Sequence, residues 1–290
     1  MSDVCARVPG MRTNLIVSTP DNQWRVRELH VAGRLSRLRR GLYTGAEPDR
    51  RSLVEAAVVR LDAVASHETA AALWGLPTLG TSTTMHVTRT RRSQGVAHYD
   101  GVTVHHASLD PAHLAVHNGI PLTTPARTVL DIARHRSFWA GVVVADAALR
   151  MRCCTREELL AVAEACRRWP GVTKGRRVVG FADEQAESPL ESISRVAFHD
   201  YELPVPILQA VIGGYERADF LWPDYRVIGE ADGLGKYTSP DVLRREKERE
   251  QSIAQLGFTT FRWTWRDAFR RPDALAYRAS QILSRHGYRA

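Results

Sequence analysis

The sequence lacks closely spaced cysteine pairs and long apolar runs, and each of these absences excludes a class of protein. It also contains few lysines. Its four cysteines form no C-x-x-C pair, so a zinc ribbon or a disulfide framework is not expected. Reduced thiols instead favour a cytoplasmic protein. No run reaches the roughly 18 apolar residues that predict a membrane span. Residues 1–10 contain no apolar signal-peptide core. No H-E-x-x-H motif is present, so a zinc enzyme is not expected.

Arginine supplies nearly all of the positive charge. The net charge is +8, and only three of the 40 basic residues are lysines. The basic excess lies in residues 1–52 and 53–180, whereas acidic residues slightly outnumber basic ones in residues 181–290. Because arginine binds phosphates and guanine edges in a forked geometry, this composition favours DNA as a partner. The alternative explanation is an arginine-rich proteome encoded by a high-GC genome.

Residues 18–43 have the pattern of a helix followed by a hairpin. Ser18-Thr19-Pro20 is typical of a helix start, Gly33 of a helix end, and Arg40-Gly41 of a tight turn. This is the second half of a winged helix, whose helix enters the major groove while the hairpin contacts the backbone. A solvated basic helix packed on the next domain is the alternative. The predicted DNA-binding residues are Arg25, Arg27, Arg34, Arg37, Arg39 and Arg40, with Arg89, Arg91 and Arg92 in a later basic loop.

Three further motifs lie in the first two thirds of the chain. They are residues 33–43 (GRLSRLRRGLY), 65–76 (ASHETAAALWGL) and 119–131 (GIPLTTPARTVLD). Together they resemble AbiEi-type antitoxins of the type IV toxin–antitoxin class, over about residues 20–180. The resemblance implies a protein that binds its own promoter through a winged helix and counters a nucleotidyltransferase toxin. Residues 1–17 hold barely one helix, so either the winged helix is curtailed or the true start lies upstream.

Two residues of the middle region have simpler interpretations. Arg127 and Asp131 lie four residues apart in a predicted helix, which predicts an internal ion pair. His67 lies near a predicted helix start but has no neighbouring catalytic partner in the sequence, so a catalytic role for it is not expected.

Carboxylates interrupt two apolar runs near the C-terminus. Residues 217–223 and 227–233 flank a turn and predict an antiparallel strand pair. Because side chains alternate along a strand, Glu230 and Asp232 share one face. If Asp219 lies opposite them, three carboxylates converge, and a divalent cation with oxygen ligands would relieve their repulsion. An ordinary exposed E-x-D on an edge strand is the alternative.

Residues 181–290 resemble the restriction-endonuclease-like PD-(D/E)xK nucleases, in the group similar to very-short-patch repair endonucleases. The resemblance rests on the acidic helix start at 187–191, the strand pair, the helix 244–256 and the strand 258–263. By position, it implies that Asp219, Glu230 and Glu191 hold the metal. The predicted catalytic residues of this chain are Glu191, Asp219, Glu230, Asp232 and Lys236, and the predicted ligands of Mg²⁺ or Mn²⁺ are Asp219, Glu230 and Asp232. The family has a lysine two residues after the glutamate, where this chain has Asp232. Lys236, Lys247 or Arg245 could supply the missing cation.

The sequence therefore predicts a multidomain α/β protein. Residues 1–52 are a partial winged helix, residues 53–180 a mixed α/β middle domain, and residues 181–290 a restriction-endonuclease-like α/β domain with a mixed sheet, with a linker at 171–180. The first functional prediction is a cytoplasmic DNA-binding antitoxin or transcriptional repressor with a nuclease-like domain. DNA and a nucleotidyltransferase-type toxin are the predicted partners, with no membrane and no organic cofactor. The alternatives are a magnesium-dependent DNA endonuclease or nickase with slow or conditional cleavage, and a pseudo-nuclease interaction module.

Overall fold

The protein is a multidomain mixed α/β chain, as predicted. The computed structural model describes residues 15–45, 47–80, 82–90, 95–99, 101–213, 216–232 and 240–289. Within these ranges the strands form three sheets. The chain divides into two compact units: unit 1 runs to His135 and includes Cys153–Gly175, and unit 2 comprises Arg136–Arg152 and the chain from Arg176 onward. The three-domain division stays a prediction. No helix in the described ranges is long and apolar enough to cross a membrane.

The first elements of unit 1 form a helix beside a small antiparallel sheet. The predicted helix and hairpin are both present, and a short preceding strand completes a sheet of order β1-β3-β2. The helix begins at Gln23 after the N-cap residue Asn22, so the predicted start at Ser18-Thr19-Pro20 is wrong. Gly33 has φ +70°, a left-handed conformation that favours glycine and ends the helix. Val26, Leu35 and Leu42 are the buried apolar residues of this part. The elements are β1 (Leu15–Val17), α1 (Gln23–Val31), β2 (Ser36–Arg39) and β3 (Leu42–Thr44).

A mixed six-stranded sheet forms the centre of unit 1, in the order β6-β7-β5-β4-β9-β8. The β4–β9 and β5–β7 pairs are parallel, and the other pairs are antiparallel. Valine, alanine and leucine side chains from the sheet and from α2 form its core. The elements are α2 (Arg50–Leu61), β4 (Val64–Ala65), α3 (His67–Leu73), β5 (Met85–Arg89), β6 (Gly95–Tyr99), β7 (Val102–His106), β8 (Leu114–His117), β9 (Ile120–Thr123) and α4 (Pro125–His135).

Three helices follow, and one of them corrects the predicted linker. Most of residues 171–180 form the helix α7 (Val172–Phe181) rather than an irregular linker, although the division between the two units falls within them, after Gly175. Gly175 lies so close to α4 that a Cβ there would be 2.7 Å from Cδ1 of Leu130, and Val178 and Val179 are fully buried. Packing therefore overrides the local glycine content. The helices are α5 (Phe138–Arg150), α6 (Arg156–Ala165) and α7 (Val172–Phe181).

The rest of unit 2 is a four-stranded mixed sheet with helices, in the strand order β10-β11-β12-β13. The predicted strand pair is confirmed, because β11 and β12 are antiparallel neighbours joined by a short 3-10 turn at Pro223–Tyr225. Strands β12 and β13 are parallel. The elements are α8 (Pro189–Asp200), β10 (Ile207–Ile212), β11 (Glu216–Trp222), β12 (Val227–Asp232), α9 (Pro240–Gln255), β13 (Thr259–Thr264), α10 (Trp265–Arg270) and α11 (Pro272–Arg285).

Aromatic rings fill the space between α8 and this sheet. Phe198 of α8 makes edge-on contacts with Trp222 and Trp263, each with ring centroids 5.4 Å apart. The indole N–H of Trp263 donates to Ser194 Oγ at 2.7 Å, which fixes the ring. Gly229 lies beneath it, and a Cβ at this position would be 2.6 Å from Cη2 of Trp263. Glycine is therefore required at residue 229 for steric reasons.

We expect Gly229→Ala to destabilise unit 2 by about 1–3 kcal/mol, because an added methyl group in a well-packed core forces side chains off their rotamers. Gly180→Ala, in helix α7, is the matched control, since a Cβ there meets nothing within 4 Å. That variant should be neutral or up to about 1 kcal/mol more stable. Urea unfolding followed by circular dichroism measures both changes. Equal effects of the two substitutions would contradict the packing around residue 229.

Candidate functional site

Three carboxylates of unit 2 lie close together at the point where β11, β12 and the start of α8 meet. Phe220 pairs with Gly229, so Asp219 and Glu230 are the next residues along the two strands. Asp219 Oδ2 accepts the backbone N–H of Ala231 at 2.9 Å. The charge of Asp219 raises the pKa of both Glu191 and Glu230. The structure thus brings together three of the residues that the sequence predicted as catalytic.

Glu191 is a buried acid held by several hydrogen-bond donors. It lies in the first turn of α8, where Ser188 caps the helix. One carboxylate oxygen accepts Ser188 Oγ at 2.8 Å, and the other accepts the backbone N–H of Glu187 at 2.9 Å and Nε2 of Gln209 at 2.7 Å. Burial nevertheless raises the pKa of Glu191 above its usual range, and Asp219 adds to this rise. The site therefore holds a carboxylate whose charge is incompletely compensated.

Gln209 belongs to the same cluster, although the sequence analysis did not single it out. It lies in β10 with φ +50°, a left-handed conformation that costs a non-glycine residue about 1–3 kcal/mol. Leu208 and Ala210, on either side of it, keep regular pairs with β11. Within the described residues, Oε1 of Gln209 is buried and has no hydrogen-bond partner. A glutamine in a strand gives no signal of such a backbone conformation, so only the fold reveals it.

Arg249 supplies a cation beside Glu230. Its Nη2 donates to Glu230 Oε1 at 2.7 Å, and the Glu230 side chain is 8% exposed. Burial raises the pKa of Glu230, and Arg249 opposes that rise. The sequence analysis named Lys236, Lys247 and Arg245 as sources of a cation. Lys236 lies outside the described residues, as do the side chains of Arg245 and Lys247.

Asp232 lies at the end of β12, opposite Thr264 of β13. Its Oδ2 is 3.9 Å from Nε of Arg262, and Nη2 of the same arginine is 3.0 Å from Glu250. The position that is lysine in the resembled nucleases therefore carries a carboxylate with a basic neighbour from β13. The role of Asp232 as a metal ligand stays a prediction.

The predicted DNA-binding arginines are mostly exposed. On α1 and the hairpin that follows it, Arg39 alone of the six is partly buried, and its side chain has further interactions. Arg89, at the end of β5, is also partly buried, and Arg91 and Arg92 lie outside the described residues. The exposed members are Arg25, Arg27, Arg34, Arg37 and Arg40.

The predicted ion pair of α4 is confirmed. Nε of Arg127 donates to Asp131 Oδ2 at 2.9 Å, and both side chains are 1% exposed. The guanidinium of Arg134 is 3.5 Å from the other oxygen of Asp131. Both arginines stack on the ring of Trp169, at 4.5 and 4.9 Å from its centroid. This buried group ties α4 to the chain after α6, which is a structural role.

Comparisons with known proteins identify a relative for most of the chain. Residues 63–171 match the AbiEi antitoxin C-terminal domain, which confirms the predicted resemblance over this part. "Uncharacterized protein Rv2248" of Mycobacterium tuberculosis H37Rv is 33% identical over 263 residues, covering 87% of this chain and 94% of that protein. "Uncharacterized protein MT2308" of strain CDC 1551 matches with the same values. The chain belongs to the same family as these mycobacterial proteins. The nuclease-like resemblance of residues 181–290 remains a prediction.

We expect Arg249→Ala to destabilise unit 2 by about 2–4 kcal/mol at pH 7, because it leaves the buried carboxylate of Glu230 without its cation. The raised pKa of Glu230 sets the pH dependence. The cost is present when Glu230 is ionised and disappears as the pH falls towards about 4.5, the value in the unfolded chain. Thermal unfolding at pH 7 and at pH 4.5 measures this difference.

Arg244→Ala on the same helix is the control for this prediction. Its partner Glu248 is 3.7 Å away and both side chains are largely exposed, so the loss should be at most about 1 kcal/mol. Similar losses in the two variants, or a loss in Arg249→Ala that is unchanged at pH 4.5, would contradict the burial of the Glu230 charge.

Proposed function

We propose that the protein is a cytoplasmic DNA-binding regulator of the AbiEi antitoxin type. The observation that carries this proposal is the match of residues 63–171 to the AbiEi antitoxin C-terminal domain. A nucleotidyltransferase-type toxin is the proposed protein partner, since an antitoxin acts against a toxin. The N-terminal region is proposed to be the partial winged helix through which the protein binds its own promoter.

The exposed arginines of α1 and the β2–β3 hairpin support a DNA interface. Between residues 24 and 40, the sequence contains six arginines and one acidic residue, Glu28. In the proposed complex, α1 lies in the major groove, and the hairpin with Arg37 and Arg40 contacts the backbone. Each arginine–phosphate contact displaces condensed counterions, so affinity should depend steeply on salt.

The triple variant Arg25→Ala, Arg27→Ala, Arg37→Ala should bind DNA more weakly and with a flatter salt dependence. If each side chain contacts one phosphate, the slope of log K against log salt should fall by about 2.7, at roughly 0.9 for each contact. Fluorescence anisotropy with a duplex from the protein's own promoter, between 50 and 200 mM salt, measures this slope.

A charge-matched control is Arg168→Ala, Arg266→Ala, Arg285→Ala, which removes three exposed arginines from other parts of the chain. This variant loses the same net charge but should retain a slope close to that of the unmodified protein. If the two triple variants lower the slope equally, binding is a general charge effect, and the winged-helix assignment is wrong.

The carboxylate cluster of unit 2 favours a second candidate function, a metal-dependent DNA endonuclease or nickase. Glu191, Asp219 and Glu230 would hold Mg²⁺ or Mn²⁺, which accept hard oxygen ligands. The buried Oε1 of Gln209 is a further oxygen of that kind. Raised pKa values of Glu191 and Glu230 support this, because a cation would relieve the repulsion that causes part of the rise.

The chemistry of this second candidate depends on charge at the phosphate. A bound divalent cation activates water and stabilises negative charge in phosphodiester cleavage. The resembled nucleases use a lysine at the position of Asp232 to stabilise the negative charge that develops on the phosphate. In this chain, Arg249, 2.7 Å from Glu230, is the residue proposed to do so. Loss of one charge-stabilising donor costs about 10²- to 10³-fold in rate, so cleavage is expected to be slow.

Mg²⁺ or Mn²⁺ at millimolar concentration should raise the melting temperature of the protein, and Asp219→Asn should abolish this rise. Without metal, the same variant should be about 1 kcal/mol more stable, because it removes one of three mutually repelling charges.

In Mn²⁺, the unmodified protein should slowly nick supercoiled plasmid, and Asp219→Asn should not.

The possible results separate the candidate functions. A metal-induced shift that persists in Asp219→Asn places the metal elsewhere. Metal binding without nicking, on several DNA substrates, leaves the cluster as part of a pseudo-nuclease interaction module. Nicking that survives in Asp219→Asn identifies a contaminating nuclease.

A further inference from the structure

Four histidines cluster in unit 1, whereas the three carboxylates belong to unit 2. The side chains of His67, His105 and His135 each offer a ligand atom, and these atoms all lie within 4.8 Å of one another. The rings of His67 and His105 stack with centroids 3.6 Å apart. Nε2 of His67 is 3.1 Å from Nδ1 of His135. His86 joins the group through Nδ1, which is 3.0 Å from Nε2 of His105.

Different elements bring these rings together. His67 is the first residue of α3 and His135 the last residue of α4, whereas His86 and His105 lie on the neighbouring strands β5 and β7. His67 is 2% exposed and His105 is 7% exposed, while His135 is exposed. Burial of an imidazole costs free energy that burial of an apolar side chain does not, and a bound ligand would offset this cost.

In His67 and His105, the contacts of one ring nitrogen are like those of the nitrogen that does not bind the metal in metal-bound histidines. Such histidines usually pair their second ring nitrogen with a carboxylate, a carbonyl or a hydroxyl group. Nδ1 of His67 is 2.9 Å from Ser66 Oγ, which also accepts the hydroxyl of Thr88 at 2.8 Å. His135 differs, because Nδ1, the nitrogen that faces His67, is also the one that lies 2.9 Å from the carbonyl oxygen of Asp131. His105 pairs with His86, whose Nε2 lies 3.5 Å from a carboxylate oxygen of Glu68.

The backbone of His67 is strained. Its φ is +49°, a left-handed value that is uncommon for non-glycine residues and costs about 1–3 kcal/mol. Strain of this kind persists where surrounding structure holds a residue for function. Burial lowers the pKa of His67 well below its usual range, and the neighbouring imidazoles lower it further.

We propose that His67, His105 and His135 bind one borderline transition-metal ion, of which Zn²⁺ is the representative. Two nitrogen ligands on a tetrahedral zinc ion lie about 3.4 Å apart, and the ligand atoms of the three histidines all lie within 4.8 Å of one another. The rings of His67 and His105, which stack with an interplanar angle of 16°, would turn apart to direct their nitrogens at one ion. The ion links the start of α3, strand β7 and the end of α4. Because His135 is exposed, the fourth position faces solvent and takes water or an external ligand.

Metal-free full-length protein, prepared with a chelator, tests the proposal. Titration with Co²⁺ should give the intense visible bands of a tetrahedral nitrogen site at one equivalent, and Zn²⁺ should displace Co²⁺. Loss of a residue that only hydrogen-bonds to a metal ligand weakens metal binding by about 10- to 100-fold. His135→Ala and His67→Gln remove a ligand itself, so each should weaken Zn²⁺ binding by more than this. Isothermal titration calorimetry measures the affinities, and circular dichroism checks the fold.

Two controls separate this site from other histidines and from the carboxylates. His113→Ala, also in unit 1, should bind Zn²⁺ as the unmodified protein does, and Asp219→Asn, in unit 2, should leave the tetrahedral Co²⁺ bands unchanged. Because His135 is exposed, its variant should fold even if His67→Gln does not. The proposal is overturned if folded, chelator-treated protein gives no tetrahedral Co²⁺ spectrum, or if His135→Ala folds and binds Zn²⁺ with unchanged affinity.

Discussion

Electrostatic repulsion among Glu191, Asp219 and Glu230 is the constraint on which the C-terminal part of unit 2 depends. Each carboxylate has donors from a different element: Ser188 and Gln209 for Glu191, the backbone of Ala231 for Asp219, and Arg249 for Glu230. Gln209 donates from a strained backbone position in β10, and Arg249 donates from helix α9. The sheet can therefore bury acids in its interior only because α8, β10 and α9 all pack around them.

Local patterns allowed much of this architecture to be predicted from the sequence. The turn after Trp222 and the alternation on both sides of it predicted the β11–β12 pair, and the spacing of Arg127 and Asp131 predicted their ion pair. Both depend on residues that are close along the chain. Most of residues 171–180 form a helix rather than an extended linker, because Gly175 allows close packing against Leu130 and because Val178 and Val179 are buried. The glycine content of the segment does not encode this packing.

The residues that the sequence analysis missed are brought together by tertiary structure alone. Arg249 is one of several basic residues on α9, and only the packing of that helix selects it for Glu230. The histidine cluster combines residues from two helices and two strands, so it contains no short motif. His113 and His117 do have the H-x-x-x-H spacing that, on a helix, would place two histidines on one face. However, residues 114–117 form strand β8, where residues four apart lie about 13 Å from each other.

The connection between β12 and β13 determines when charge and countercharge meet during folding. The β11–β12 hairpin closes through a short turn, so Asp219 and Glu230 approach each other early and at little entropic cost. Arg249 arrives only when α9 packs in the longer crossover to the parallel strand β13. The nascent hairpin therefore carries an uncompensated pair of acids. Where the hairpin is already closed in the transition state and α9 is not yet packed, this repulsion slows folding more than it speeds unfolding.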